Sequence, residues 1–270
     1  MRSALTAVHA LLLVLLAASF HASWNLVLHE TPDRQAAQAI GGVASFVLLL
    51  PFIILFPPWA EWRFFLPSAL AETAYAISLA AAYRRGALSL AYPIGRGTAP
   101  LLVTLASAVF LHQSFTPVTL LATLFLISGL LLVATAQEHH ADRQAISFAL
   151  LTGCCIASYS TIDANAVHYV NPLSYLGVIM GLQGVFLMGI CRTDVSRLYK
   201  SWKPGILIGT GSLIAYALVL FAFQLAAAGR VATLREVSVL LGILLTRKAI
   251  GKQVWIGAGL VVLGAVFAAS

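Results

Sequence analysis

Four charged residues stand where charge is costly. Arg96, Arg235, Glu72 and Glu236 each fall inside an apolar run of the chain. An arginine at mid-membrane costs about 3 kcal/mol on insertion scales. Each therefore needs an opposite charge, a polar partner or water. Two chemistries follow. The arginines can form a cationic cavity that receives a carboxylate or another anion. Alternatively, the four form structural ion pairs, Arg96 with Glu236 and Arg235 with Glu72. Glu236 directly follows Arg235, and adjacent helix residues do not face each other, so any partner must come from another helix. A carboxyl group in such surroundings can take up and release a proton, which suits proton-coupled transport. Compensation of arginine charge is the other reading.

Polar and aromatic residues cluster near these charges. His21, Trp24 and Asn25 share one helical face by their i, i+3, i+4 spacing. They either line a cavity end, with Trp24 stacking on a substrate, or form an interfacial group. Tyr75 follows Glu72 by one helical turn. Tyr159, Tyr216, Gln183 and Gln224 are further candidate lining groups, with interhelical packing as the alternative. Asp163 and Asn165 lie near the end of an apolar run and read as interfacial. Pro93, Gly95, Gly97 and Pro100 crowd one segment. A helical proline lacks a donor and clashes with the carbonyl four residues earlier. Pro100 would free the carbonyl of Arg96, and Pro93 that of Ser89. Freed carbonyls in a membrane must face protein or a wet cavity. The run predicts a broken helix beside a cavity, against the alternative of a static kink.

The elements that position these residues follow from composition. The chain has 270 residues, of which 60% are hydrophobic and 9% charged, and its mean hydropathy is +0.94. Soluble domains carry about 25% charged residues, so a soluble fold, disorder and a coiled coil are excluded. Apolar runs near 5–26, 36–56, 64–83, 87–111, 117–136, 146–166, 173–191, 204–226, 230–246 and 253–269 predict ten transmembrane helices. Helices satisfy their own backbone in lipid, and alternating barrel strands are absent. Spans of about 20 residues leave short connections with no room for a soluble domain. The net charge of +7 is spread over loops, where it sets topology and meets lipid headgroups rather than nucleic acid. The N-terminal 22 residues could pass for a signal peptide but read as a retained first span. Cys154, Cys155 and Cys191 read as packing residues. His139-His140 has no further ligand cluster and reads as a solvated linker, so neither metal nor cofactor is expected. Arg192 to Pro204 interleaves cations with Leu198, Tyr199 and Trp202, as an interfacial segment does. Gly177-xxx-Gly181 and Gly205-xxx-Gly209 predict close helix contacts.

The two halves are alike. Ala22-Ser23-Trp24 corresponds to Ala157-Ser158-Tyr159, Tyr75-Ala76 to Tyr216-Ala217, Arg96 to Arg235 and Gly129 to Gly264, in the same order. Five spans is an odd number, so a second copy enters the membrane from the opposite side. The expected fold is an all-α integral membrane protein of ten transmembrane helices, arranged as two inverted five-helix repeats over 1–137 and 145–270. Secondary transporters with this plan bind substrate at the repeat interface near mid-membrane.

Several segments also resemble a known family. HASWN (21–25), AYPIGRGTAP (91–100) preceded by Arg85-Gly86-Ala87-Leu88-Ser89, LREVSVLLGILL (234–245) and WIGAGLVVLGAV (255–266) are similar to the EamA family of the drug/metabolite transporter superfamily. The resemblance covers nearly the whole chain as two EamA-type units. It implies ten helices, an inverted repeat and export or uptake of small metabolites, without fixing a substrate. The arginines tilt the expectation toward an amino-acid-like or other carboxylate-bearing substrate, carried across the plasma (inner) membrane by alternating access. The aromatics Trp24, Tyr75, Tyr159 and Tyr216 keep a multidrug exporter open. No Walker A segment is present, so energy comes from a gradient or from a partner. A membrane-embedded enzyme would need a motif such as H-E-x-x-H or G-x-S-x-G, and neither occurs. A non-transporting subunit would carry no substrate flux. The odd-numbered loops hold Arg34, Arg84, Arg85, Arg143, Arg192, Arg197, Lys200, Lys203, Arg247, Lys248 and Lys252, whereas even loops and termini hold Arg2, Arg63 and Arg230. The positive-inside rule puts both termini outside; the resemblance favours both inside.

Overall fold

The computed structural model describes residues 2–85, 88–114, 116–135, 143–238, 241 and 251–269. Among these residues the chain forms helices and no strands. The helices are α1 (Arg2–Glu30), α2 (Arg34–Leu55), α3 (Trp62–Arg85), α4 (Leu88–Phe110), α5 (Pro117–Thr135), α6 (Arg143–Ala166), α7 (Pro172–Ile190), α8 (Val195–Leu225), α9 (Ala228–Arg235) and α10 (Lys252–Ala269). A 3-10 turn, Trp59–Glu61, leads into α3. Six stretches are long and apolar enough to cross a membrane: Val8–Glu30, Arg34–Leu55, Trp59–Arg84, Arg143–Ala166, Pro172–Ile190 and Val195–Leu225. Ile94–Phe110, Pro117–Val133 and Lys252–Ala268 are shorter apolar helical stretches. Ten helices are present among the described residues, six of them with full spanning character, and the part of the expected ninth span, 230–246, that follows Ser238 lies outside those residues apart from Leu241. The linker Glu138 to Asp142, most of the segment 239–250 and the Gly86-Ala87 pair lie outside the described residues.

Helix ends are set by short polar side chains. The Asp33 carboxylate accepts from the Ala36 amide at the start of α2. Asn171 accepts from the Leu173 and Ser174 amides before Pro172 opens α7. Asp194 accepts from the Arg197 amide at the start of α8. Each satisfies donors that a first helical turn leaves unbonded. Within the spans, hydroxyls of Ser19, Ser23, Ser45, Thr73, Thr123 and Thr152 donate to the carbonyl four residues earlier. That local bond lets a polar residue stand in an apolar helix. The stretch read as a separate interfacial segment, Arg192 to Pro204, is instead largely the first turns of α8, which continues through Pro204.

The helix break expected in α4 does not occur. The helix runs unbroken from Leu88 to Phe110 through Pro93, Gly95, Gly97 and Pro100. Transmembrane helices tolerate proline where hydroxyls and neighbouring helices satisfy freed backbone groups. The α4 hydroxyls bond other carbonyls than the two the prolines free, Thr98 donating to Ile94 and Thr104 to Pro100 O at 2.7 Å, so the continuity of the helix rests on its packing against α5 and α6. The glycines serve packing: Gly95 faces the Ala149 carbonyl and Thr152 of α6, and Gly97 faces Leu130 of α5.

The bundle is held mainly by contacts between the first five helices and the last five. α2 packs on α7, α3 on α6, α1 on α8 and α5 on α10, with α4 also on α6 and α2 also on α8. Lipid offers no hydrophobic drive between helices, so close backbone approach by small residues replaces it. Gly41 of α2 and Gly209 of α8 show this: a methyl on Gly209 would lie 2.5 Å from the Gly41 Cα. Gly177 and Gly181 seat against Leu49, Ile53 and Phe46 of α2. Both expected glycine pairs therefore pack on α2. Outward-facing Leu55, Phe110 and Ile54 are largely exposed, as lipid contact allows.

Candidate functional site

Eight helices surround a cavity of about 70 Å³; among the described helices, α5 and α10 do not line it. A water needs on the order of 10–15 Å³ of such space. The cavity therefore holds several waters or a small polar solute. α1 contributes His21 and Trp24, α3 contributes Glu72 and Tyr75, and α4 contributes Arg96. Tyr159 comes from α6, Gln183 from α7, Tyr216 from α8 and Arg235 from the end of α9.

The two arginines have different surroundings. Arg96 is buried and fully engaged: Nε donates to Glu236 Oε2 at 2.9 Å, Nη1 meets His21 Nε2 at 2.9 Å, and Nη2 donates to Ser238 Oγ at 3.1 Å. Arginine only donates, so His21 accepts through Nε2. Arg235 makes no ion pair among the described residues. Its guanidinium lies 5.5 Å from the centre of the Tyr216 ring, and the Tyr159 hydroxyl is within reach of it. The first expected ion pair, Arg96 with Glu236, is therefore present, and the second, Arg235 with Glu72, is not.

Glu72 is 4% exposed, and its Oε2 has no hydrogen-bond partner. The Glu72 carbonyl accepts from Gln183 Nε2 at 3.2 Å, which ties α3 to α7. Trp24 Nε1 is likewise buried without a partner, and its ring meets His21 edge-on at 4.9 Å. Three tyrosines of the lining form a row: Tyr75 to Tyr159 at 5.9 Å and Tyr159 to Tyr216 at 5.7 Å, both edge-to-face. Besides the paired Arg96, the cavity thus presents the Arg235 cation, the Glu72 carboxylate and the Trp24 indole donor, framed by aromatic rings.

Other candidates fall elsewhere. The Asn25 amide turns back to the His21 carbonyl at 2.9 Å, so it serves its own helix and not the cavity. Glu236 stands behind Arg96 and does not line the cavity. Gln224 donates to the Val167 carbonyl, far along α8. Asp163, read as interfacial, is fully buried. It accepts from the Ser68 hydroxyl at 2.6 Å, from Tyr175 at 2.5 Å and from Tyr216. Three hydroxyl donors from three other helices replace water around it. The sequence carried a signal for this: Asp163 lies four residues after Tyr159, on the same helical face. Gln38, Met180 and Ser212 also line the cavity, and nothing in their types or spacing marked them.

Comparison with known proteins places this architecture. No curated protein matches the chain. A solved structure, described only as "Crystal structure of protein", superposes with a TM-score of 0.73 at 16% identity, covering 99% of this chain and 96% of that one. At that identity the likeness concerns the fold alone. The EamA-like transporter family matches residues 143–270, from the start of α6 to the C-terminus. That family belongs to the drug/metabolite transporter superfamily, and its match is to the second half of this chain.

Proposed function

We propose that the protein is a secondary active transporter that carries a small amino-acid-like metabolite across the plasma membrane by alternating access. The observation that carries this reading is the pair Arg235 and Glu72. Both line one cavity, both are buried, and they are not joined to each other. Buried charges are costly when unpaired. A solute with a carboxylate and an ammonium group supplies both missing partners: the carboxylate for Arg235 and the ammonium for Glu72. Trp24 Nε1 offers a further donor, and the tyrosine row gives a surface for a side chain. Drug-sized ligands occupy cavities of roughly 300–1,000 Å³, so the small volume speaks against a bulky lipophilic substrate.

The packing supports two inverted repeats over 1–137 and 145–270. Exchanging each helix for the one five places on turns α3 on α6 into α8 on α1, α2 on α8 into α7 on α3, and α4 on α6 into α9 on α1. All of these are packed pairs. Arg96 and Arg235 are then symmetry mates on α4 and α9. Glu72 is also placed to carry a proton when no ammonium group occupies the cavity, which would couple transport to a proton gradient.

Thermal unfolding of the detergent-purified protein tests the reading. The panel holds neutral amino acids, their amides, the corresponding amines and lipophilic cations. A ligand at 100 times its Kd stabilises the folded state by about 2.7 kcal/mol. Amino acids should raise the melting temperature while amides and amines do not, and Arg235→Gln should abolish the shift. Stabilisation by lipophilic cations alone would sink the proposal. Transport insensitive to an imposed pH gradient would remove the proton step.

A further inference from the structure

The cavity is closed at the end of the bundle where the α1–α2 and α7–α8 turns lie. The seal has three layers. Outermost is an ion pair between Asp33, in the α1–α2 turn, and Arg197, in the first turn of α8. Arg197 Nε donates to Asp33 Oδ2 at 2.7 Å and Nη2 donates to Oδ1 at 3.0 Å. Beneath it, Leu28, Ala37 and Ile208 are almost fully buried together, against Trp24. Beneath that, α2 and α8 meet backbone to backbone at Gly41 and Gly209. Both glycines, Ile208 and Trp24 line the cavity. A solute leaving toward this end must part α2 from α8.

The ion pair gathers four helix ends. Asp33 also caps α2 through the Ala36 amide. Arg197 Nη1 donates to the Cys191 carbonyl at the end of α7, and the Arg197 amide is held by Asp194 at the start of α8. Arg34, next to Asp33, donates to the Leu28 and His29 carbonyls at the end of α1. The pair is about one-third exposed, 34% and 29% for the two side chains, whereas the Arg96–Glu236 pair is 5% and 4% exposed. A half-wet pair can separate into water at little cost, and a buried one cannot. At Gly41 and Gly209 the seam meets backbone to backbone, and beside it Ile40 is seated against Gly205 of α8, so little side-chain repacking is needed for the helices to part there.

We propose that the Asp33–Arg197 pair is a gate latch, whose two carboxylate contacts hold α8 against the α1–α2 turn and close this end of the cavity. The proposal deepens the transporter reading, naming the moving seam, but its test needs no substrate. Cys154, Cys155 and Cys191 are replaced by alanine, and Ser212→Cys places a reporter thiol in the cavity wall. Its rate of modification by a water-soluble cationic methanethiosulfonate is measured in detergent. An exposed ion pair shifts a two-state equilibrium by up to about fivefold. Arg197→Gln and Asp33→Asn should each speed modification about two- to fivefold. The exchanged pair, Asp33→Arg with Arg197→Asp, should restore the slow rate and show that the single variants are not merely misfolded. A second reporter, Thr161→Cys, is buried near the far end of α6, and its rate should not change. Unchanged rates at Ser212→Cys, or acceleration at both reporters, would overturn the latch. A protein that transports nothing but shows the selective acceleration would overturn the substrate reading and leave the latch standing.

Discussion

Arg96 of α4 and Glu236, one residue beyond α9, meet at 2.9 Å with both side chains almost sealed from solvent. Arg235, the neighbour of Glu236 in sequence, points into the cavity wall and makes no ion pair among the described residues. One step along the chain thus separates an arginine locked in a buried ion pair from one that lines the cavity without an ion pair among the described residues.

The two arginines should therefore fail differently. Arg96→Ala leaves Glu236 buried without its partner, at a cost of about 3–5 kcal/mol. Its melting temperature in detergent should fall steeply. Arg235→Gln gives up the guanidinium contact with the Tyr216 ring but leaves no ion-pair partner behind among the described residues, so it should melt closer to the parent protein. Equal melting of the two variants would contradict this division.

Binding should depend on Arg235 and Glu72 separately. A hydrogen bond to a charged group contributes about 1.5–3 kcal/mol, which is roughly 10- to 100-fold in affinity. Arg235→Gln should weaken an amino acid by that factor. Glu72→Gln should weaken it similarly but spare a carboxylate that lacks the ammonium group. Isothermal titration with paired amino acids and hydroxy acids reads both effects.

Asp163 should be the most sensitive polar residue outside the cavity. Asp163→Asn retains one oxygen acceptor and brings an amide that opposes the hydroxyl donors of Ser68, Tyr175 and Tyr216. An unsatisfied buried group costs about 1–3 kcal/mol. Tyr216→Phe removes one donor only and should cost less. Thermal unfolding should rank the variants in that order.

A methyl at the α2–α8 seam should be costly. Gly209→Ala places a carbon 2.5 Å from the Gly41 Cα, and overpacking of this kind costs about 1–3 kcal/mol or more. Gly259→Ala meets nothing within 4 Å and should be neutral. Melting temperatures of the two variants check the contrast.

Acid should loosen the latch end first. The Arg197 hydrogen bond holds the Asp33 carboxyl below its ordinary range, against a smaller opposing effect of burial. Around the pair, Asp194 caps α8, and the Cys191 thiol and Arg84 lie nearby. The folded pKa lies below the unfolded value, so the pair stabilises fully above the ordinary carboxylate range. Its contribution is lost as pH falls through the folded pKa. Cavity accessibility should stay flat from neutral pH down to about pH 5 and rise only below the carboxylate range. Asp33→Asn should show no such rise.

Much of this was written in residue types. In lipid, the solvent dictates composition, so apolar runs matched most helices nearly to their ends, whereas α8 begins nine residues before its run because its first turns are the cation-rich stretch from Val195. Charges such as Arg96, Arg235 and Glu72 are rare enough in such runs to announce a cavity. Asp163 was harder, because its partners lie 95, 12 and 53 positions away, and only folding brings those hydroxyls together. Pro93 and Pro100 misled for a different reason. The rule that proline breaks a helix assumes no neighbours, whereas α4 is packed between α5 and α6. Asn25 misled because its amide had a closer acceptor in its own helix.

The hydroxyl cage of Asp163 has a consequence for biogenesis. Ser68 is made 95 residues before Asp163, Tyr175 comes 12 residues later, and Tyr216 comes 53 later. When α6 leaves the ribosome, only one of its three donors is already in the membrane. An aspartate at the centre of an isolated helix costs about 2.5–3.5 kcal/mol on insertion, and Asp163, three residues before the end of α6, bears a smaller share of that cost. Nascent α6 therefore depends on α3 having been delivered first, and it is not fully satisfied until α8 has followed. Synthesis order and cage assembly are thus matched, and the second half of the chain enters the bilayer with the first half as its escort.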